Sequence, residues 1–340
     1  MKRRSMLRIG ALAVVMAAVA GGAVAGVPRF QHSGPGAYGW PLKPFDREHP
    51  VRGLFGDPRT VFSGPPTQET LRYGGGQFSF HFGVDIVARD NTAVYPVESG
   101  TVTEITPEHF QVSSGARSFQ YWHLSPLVRL GQHVVAFKTV IGRTLHGHGH
   151  LHLAELDGGR AVNPLQPGHL TPYADRTPPR VVSISFRAGD TGPELLSNFV
   201  SGPLLVVVEA YDPASPAVRG AWAGMPVVPA LITWRLQRLG GKVVLPERVA
   251  VDFRKTLPPN ARFWDLYARG TFQNFSVFGR HYSWAEPGVY LFKLTRSPID
   301  TRSLPDGVYD FVVTARDVRG NSAVLSKRFT LHNRPGWVGS

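Results

Sequence analysis

The sequence predicts an all-β protein, and three observations carry that prediction. Gly and Pro are frequent, 37 and 29 of 340 residues. They punctuate short runs rich in Val, Phe, Tyr and Thr, the composition of strands separated by turns. Beyond the N-terminus, no long stretch repeats its apolar residues at helical spacing. In chain order, strands are expected at 92–97, 100–105, 110–113, 119–123 and 149–156. The segment Asp175-Arg-Thr-Pro-Pro-Arg180 then breaks the pattern, because consecutive prolines hold the chain extended. A second series follows at 180–186, 204–210, 230–239, 288–294 and 309–315. In the last of these Tyr309, Phe311, Val313 and Ala315 alternate onto one face before a turn at 317–321. Strands of this kind build two-sheet sandwiches, so 181–333 is expected to be an immunoglobulin-like β-sandwich. It is longer than a simple sandwich, and 245–286 reads as an insertion with a short helix in 258–270, begun by Asn260 or the neighbouring prolines.

The expected organisation is a signal peptide (1–25), a lead segment (26–50), an antiparallel β domain (51–172), a linker (173–180) and the sandwich (181–333). The N-terminus has a basic start at Lys2, Arg3, Arg4 and Arg8, and an apolar run from Ile9 to Ala20. Ala23-Val24-Ala25 then stands ahead of Gly26. That is the layout of a secretory signal with an A-x-A cleavage site. An uncleaved anchor is the alternative, but the apolar run is short for a bilayer span of about 20 residues. Arg3 and Arg4 loosely fit a twin-arginine signal, although a plain basic n-region describes them better. The remainder of the chain is therefore expected in the periplasm, the cell envelope or outside the cell.

The formal charge of the whole chain is +13. Counting Lys and Arg against Asp and Glu, residues 26–172 hold 12 against 11 and residues 173–340 hold 21 against 13, so the excess lies in the C-terminal half. A basic exported domain is drawn to polyanions, which points to anionic envelope polymers as partners and not to nucleic acid. A solvated basic surface is the plainer alternative. Cysteine is absent, which excludes disulfides, iron–sulfur clusters, thiolate nucleophiles and Cys-rich zinc modules. Any metal must rest on His and carboxylate ligands.

Eight of the 13 histidines fall between residues 81 and 152. His81-Phe-Gly-Val-Asp85 offers an imidazole and a carboxylate, with Gly83 between them expected to let the chain bend so that both converge. His146, His148, His150 and His152 recur at every second position, so on a strand all four would share one face. Zinc favours imidazole with an occasional carboxylate, and a hydrolytic site uses three protein ligands plus an open position for water.

His81-x-x-x-Asp85, Tyr121-x-His123-Leu124-Ser125 and His150-x-His152 resemble, in order and spacing, the lysostaphin-type (LytM-like) zinc metallopeptidases that cut peptidoglycan peptides. Gly53-Leu-Phe-Gly56 with Arg59, Thr92 to Val102, Ile141-Gly142 and Asn163-Pro164 agree with it, over about residues 50 to 170. The resemblance implies a zinc ion held by His81, Asp85 and His152, with His123 and His150 deprotonating the attacking water or steadying the oxyanion. It implies an exported zinc endopeptidase acting on peptidoglycan stems or cross-bridges; a catalytically silent wall-binding or hydrolase-activating protein of the same fold is the alternative. Relative to that family the 100–121 segment is short, which implies a reduced groove wall. Glu155 is expected to have no catalytic role, and His146 and His148 are left without an assigned one. His109, His133, His169 and Asp157 are expected to be surface or packing residues.

Overall fold

The computed structural model describes residues 36–60, 78–107, 109–276 and 285–333, so the expected signal peptide at 1–25 lies outside the described residues. Among them, nearly all regular structure is antiparallel β, and no helix is long and apolar enough to cross a membrane.

The first half is built on an eight-stranded sheet. Its strands β1 (Val51–Gly53), β2 (Val84–Val87), β3 (Gly100–Ile105), β4 (His109–Ser114), β5 (Arg117–Trp122) and β6 (His150–Asp157) run in the order β1-β2-β6-β5-β4-β3, with His133–Val134 at the far edge and Arg160–Val162 paired to β6. The interior face carries Val84, Ile86, Phe119, Tyr121, Leu151 and Leu153, all completely buried. Alternation along each strand sends the intervening residues to the other face. The register then sets one row across four strands: Gly53 opposite Asp85, Asp85 opposite His152, and His152 opposite Trp122.

The histidine comb breaks in the middle. Strand β6 starts at His150, and 146–149 form a turn with Gly147 and Gly149 at positive φ, so His146 and His148 are not on the strand face. His146 points to solvent and pairs with Asp90 at 2.7 Å.

Besides a two-stranded pair of Phe275–Ser276 with Ala285–Glu286, the second half has two main sheets. One contains β7 (Arg180–Arg187) paired with β8 (Pro203–Pro213); the other has four strands, from β9 (Leu231–Arg238), β10 (Val243–Asp252), β11 (Gly307–Arg316) and β12 (Ser322–Leu331), in the order β10-β9-β11-β12. Phe186 of the first sheet meets Phe311 and Phe329 of the second, with ring centroids 6.3 and 4.8 Å apart. The expected insertion begins too early at 245, since 245–252 belongs to β10, where Leu245 opposes Leu236. A 3-10 turn (Asn260–Arg262) and one helical turn (Phe263–Leu266) follow, within the span read as a short helix.

The apolar core runs without interruption from the first half into the second. Polar contacts reinforce the junction beside the histidine-rich face. Asp57 accepts from the amides of Leu54 (2.9 Å) and Val228 (2.7 Å), and Tyr267 donates its hydroxyl to the Gly56 carbonyl at 2.7 Å. Gly56 is required here twice over: its φ is +100°, and a Cβ would lie 2.5 Å from the Phe253 ring.

Candidate metal centre

The row Gly53–Asp85–His152–Trp122 brings the first ligand candidates together, and His81, just ahead of β2, completes them. His81 Nε2 lies 2.7 Å from His152 Nδ1; Asp85 Oδ1 lies 3.0 Å from His152 Nδ1 and 3.1 Å from His81 Nε2. All three residues are buried. His81 donates its Nδ1–H to the Leu54 carbonyl at 2.8 Å. This fixes the tautomer and leaves the Nε2 lone pair facing the other two groups, the device by which an outer partner orients a metal-binding imidazole. Arg59 holds Asp85 Oδ2 at 2.8 Å and so turns Oδ1 toward the histidines.

Two glycines make the space. A Cβ on Gly83 would lie 2.3 Å from the Leu153 carbonyl oxygen and 2.8 Å from His152 Nε2; one on Gly53 would lie 2.6 Å from Asp85 Oδ2. Gly83 is therefore needed for close approach and not for an unusual bend, because its φ lies outside the left-handed region.

His123 and His150 stand on the same side. Their ring centroids are 4.6 Å apart, and the His123 ring lies 6.4 Å from that of His152. His123 follows β5 directly, and its φ of 64° bends the chain away from the strand; its Nδ1 is buried without a partner among the described residues. His150 Nε2 is 3.6 Å from Asp85 Oδ1. Its Nδ1 lies 2.7 Å from both the His148 carbonyl and the Arg52 guanidinium. One nitrogen cannot donate to the first and accept from the second in the same tautomer. When Nδ1–H donates to the carbonyl, Nε2, 3.3 Å from Arg52, is the lone pair left to accept.

Burial keeps these rings neutral. It lowers His81 to about 3 and His123 to about 4, and carries His150 well below the usual histidine range, with the Arg59 charge adding to the effect at His81 and that of Arg52 at His150. Burial pushes Asp85 the other way, upward, but the neighbouring histidines and Arg59 outweigh it and hold the carboxyl well below its ordinary value. His81 thus stands as a neutral imidazole beside an ionised Asp85, the protonation states a metal needs of such ligands.

Several contacts lay beyond sequence reading. Arg52, next to Gly53, stacks its guanidinium on Trp222 of the second half, 3.7 Å from the ring centroid. His148, unassigned from sequence, stacks on His123 at 4.6 Å. Arg52 stands beside the noted Gly53-Leu-Phe-Gly56 motif, which is the one signal that could have drawn attention to it; Trp222 carries none. Glu155 is completely buried and accepts from Tyr38 (2.6 Å) and His169 (2.8 Å), as a brace behind the sheet. His109 stacks on Trp122 at 3.7 Å.

No family model matches the chain, and no curated protein matches it. Solved structures do. The catalytic domain of the antimicrobial peptidase lysostaphin from Staphylococcus simulans is 23% identical over 32% of this chain and 90% of that one, with a TM-score of 0.24. A zinc containing peptidase from Vibrio cholerae is 20% identical over 37% of this chain and 39% of that one, TM-score 0.27. Helicobacter pylori Csd3 is 23% identical over 40% and 34%, TM-score 0.26.

Proposed function

We propose that this protein is an exported zinc-dependent endopeptidase that hydrolyses peptide bonds of peptidoglycan stems or cross-bridges. The observation that carries the reading is the triangle of His81 Nε2, His152 Nδ1 and Asp85 Oδ1, with sides of 2.7, 3.0 and 3.1 Å. Zinc bonds of about 2.0–2.1 Å set neighbouring ligand atoms about 3.3 Å apart, so His81, Asp85 and His152 would fit and hold a zinc ion. Bound there, zinc supplies a Lewis acid that polarises a carbonyl and brings the pKa of water to about 7.

The chain's own residues do the rest. His123, neutral and with Nδ1 unsatisfied among the described residues, would take a proton from water and return it to the leaving amine. His150, oriented through Nδ1 by the His148 carbonyl, lines the same space and shares that duty or steadies the developing oxyanion. Arg59 keeps Asp85 ionised. Arg52 sets a cationic wall beside His150, and Trp222 holds it in place. The basic C-terminal half fits a docking role toward anionic envelope polymers; wall binding by the full chain should weaken with salt, and binding indifferent to salt would end that role.

The test is to incubate the zinc-loaded protein with purified peptidoglycan and identify released fragments by mass spectrometry. New peptide termini are expected and would name the bond. Zinc binding with no new termini, at any pH or wall type, would favour the non-hydrolytic wall-binding alternative.

A further inference from the structure

A second buried polar cluster lies in the other half of the molecule. Asp175, Asp212 and Asp317 are all buried, and one carboxylate oxygen from each lies within 4.8 Å of the others. They come from three separate places: the extended segment after the first half, the end of β8, and the turn directly after β11. Two of them are anchored by the backbone. Asp175 accepts from the Thr177 amide at 2.9 Å. Asp317 accepts from the amides of Arg319 (2.7 Å) and Asn321 (3.0 Å) and from the Asn321 side chain (2.6 Å), which also donates to the Asp175 carbonyl at 3.1 Å.

Asp212 differs from both. It is 1% exposed, and neither carboxylate oxygen has a hydrogen-bond partner among the described residues. A buried polar group without a partner is costly, and an ionised one far more so. The surrounding groups do not resolve it. Tyr173 lies beside Asp175, and Arg319 stacks over the Tyr173 ring at 5.1 Å, its charge felt by Asp317 and Asp175. One guanidinium cannot neutralise three carboxylates, and it gives Asp212 no hydrogen bond.

We infer that Asp175, Asp212 and Asp317 form a binding site for a hard divalent cation, calcium in particular, that ties the segment leaving the first half to the strand ends of the second. The donors are all oxygen, which selects calcium or magnesium over zinc. Calcium fits better, since it accepts irregular sets of carboxylates and tolerates bidentate ones, whereas magnesium demands near-octahedral geometry and retains its waters. Asp212 supplies two free oxygens, and Asp175 and Asp317, already fixed by backbone amides, would each add a carboxylate oxygen, with water completing the shell. Carboxylic acids sharing protons are the competing arrangement, and burial does push Asp212 up to about 9.

Calcium titration of the zinc-loaded, otherwise metal-stripped full chain separates the two. One saturable calcium per chain is expected by calorimetry, with thermal unfolding raised by about 5 °C at a hundredfold excess over the dissociation constant. Asp212→Asn should abolish both while leaving zinc content unchanged. Should that variant fail to fold, the unaltered chain still decides: terbium luminescence sensitised by Tyr173 is expected, and calcium should displace it. Absence of saturable calcium binding to the unaltered chain, or a calcium response that survives in Asp212→Asn, would overturn the inference. A response to magnesium and not calcium would overturn the choice of ion.

Discussion

Among the described residues two buried groups of side chains could hold a metal ion, one in each half, and they are solved differently. In the first, His81, Asp85 and His152 converge as two nitrogens and one oxygen, and the outer atoms of His81 and Asp85 are held by Leu54 and Arg59. In the second, three carboxylates meet and one of them, Asp212, has no hydrogen-bond partner among the described residues. The difference shows that burial alone does not define a site. The donor atoms choose the cation, and the outer contacts decide whether the cluster is ready to react or only to hold.

The largest expected effect breaks the first cluster alone. His152→Ala should lose stoichiometric zinc and all wall hydrolysis, measured by metal analysis and fragment release, while the calcium response of the acidic cluster is retained. Full activity in that variant would remove the peptidase assignment. Next, His123→Ala should keep zinc and lower kcat by about 10² to 10⁴, the range for a lost general base; loss of zinc in this variant would make His123 a ligand. Gly83→Ala tests whether space and not conformation requires glycine. Its Cβ meets the Leu153 backbone at 2.3 Å and the His152 ring at 2.8 Å, so it should cost about 1–3 kcal/mol of stability and weaken zinc binding. An unaltered zinc affinity would show that the row can shift.

The two clusters should also respond to pH with opposite sign. Asp85 is depressed in the folded state, so it stabilises above the ordinary carboxylate value and that contribution is lost as pH falls through its folded value. Asp212 is raised to about 9 in the folded state against an ordinary 3.8. Between those values the folded chain keeps a proton that the unfolded chain releases. Calcium-free protein should therefore lose stability as pH rises from about 4 to about 9, by at most about 1.4 kcal/mol per unit. Asp212→Asn should flatten the slope in denaturant titrations; an unchanged slope would place the titration elsewhere. The smallest effect is expected for Trp222→Ala, which frees Arg52 beside His150. A drop of about threefold in kcat/KM with normal zinc content fits the ~0.5–1 kcal/mol of a guanidinium on a ring.

Strand positions were legible wherever alternation and turn residues coincide. The strand expected at 100–105 matches β3, and β5, β7 and β11 lie within one to two residues of expectation. The comb at 146–152 misled because its two glycines adopt positive φ and turn the chain before His150. Leu245 belongs to β10, but Pro246 and the charged Glu247 and Arg248 that follow it interrupt the strand pattern in the sequence. The acidic cluster was invisible: Asp175 read as linker and Asp317 as turn, since each alone is ordinary for its local structure.

By itself the sequence determined the all-β class and the exclusion of cysteine chemistry, because these follow from composition and period, while His81, Asp85, His123, His150 and His152 stand out through the family resemblance of their motifs. Only the tertiary structure decided which histidines face one another, why Gly53 and Gly83 must lack a Cβ, that Trp222 of one half supports Arg52 of the other, and that three distant aspartates share one buried space. Those are contacts between segments far apart in the chain. Their geometry is set by sheet register and core packing, which no local pattern of residues encodes.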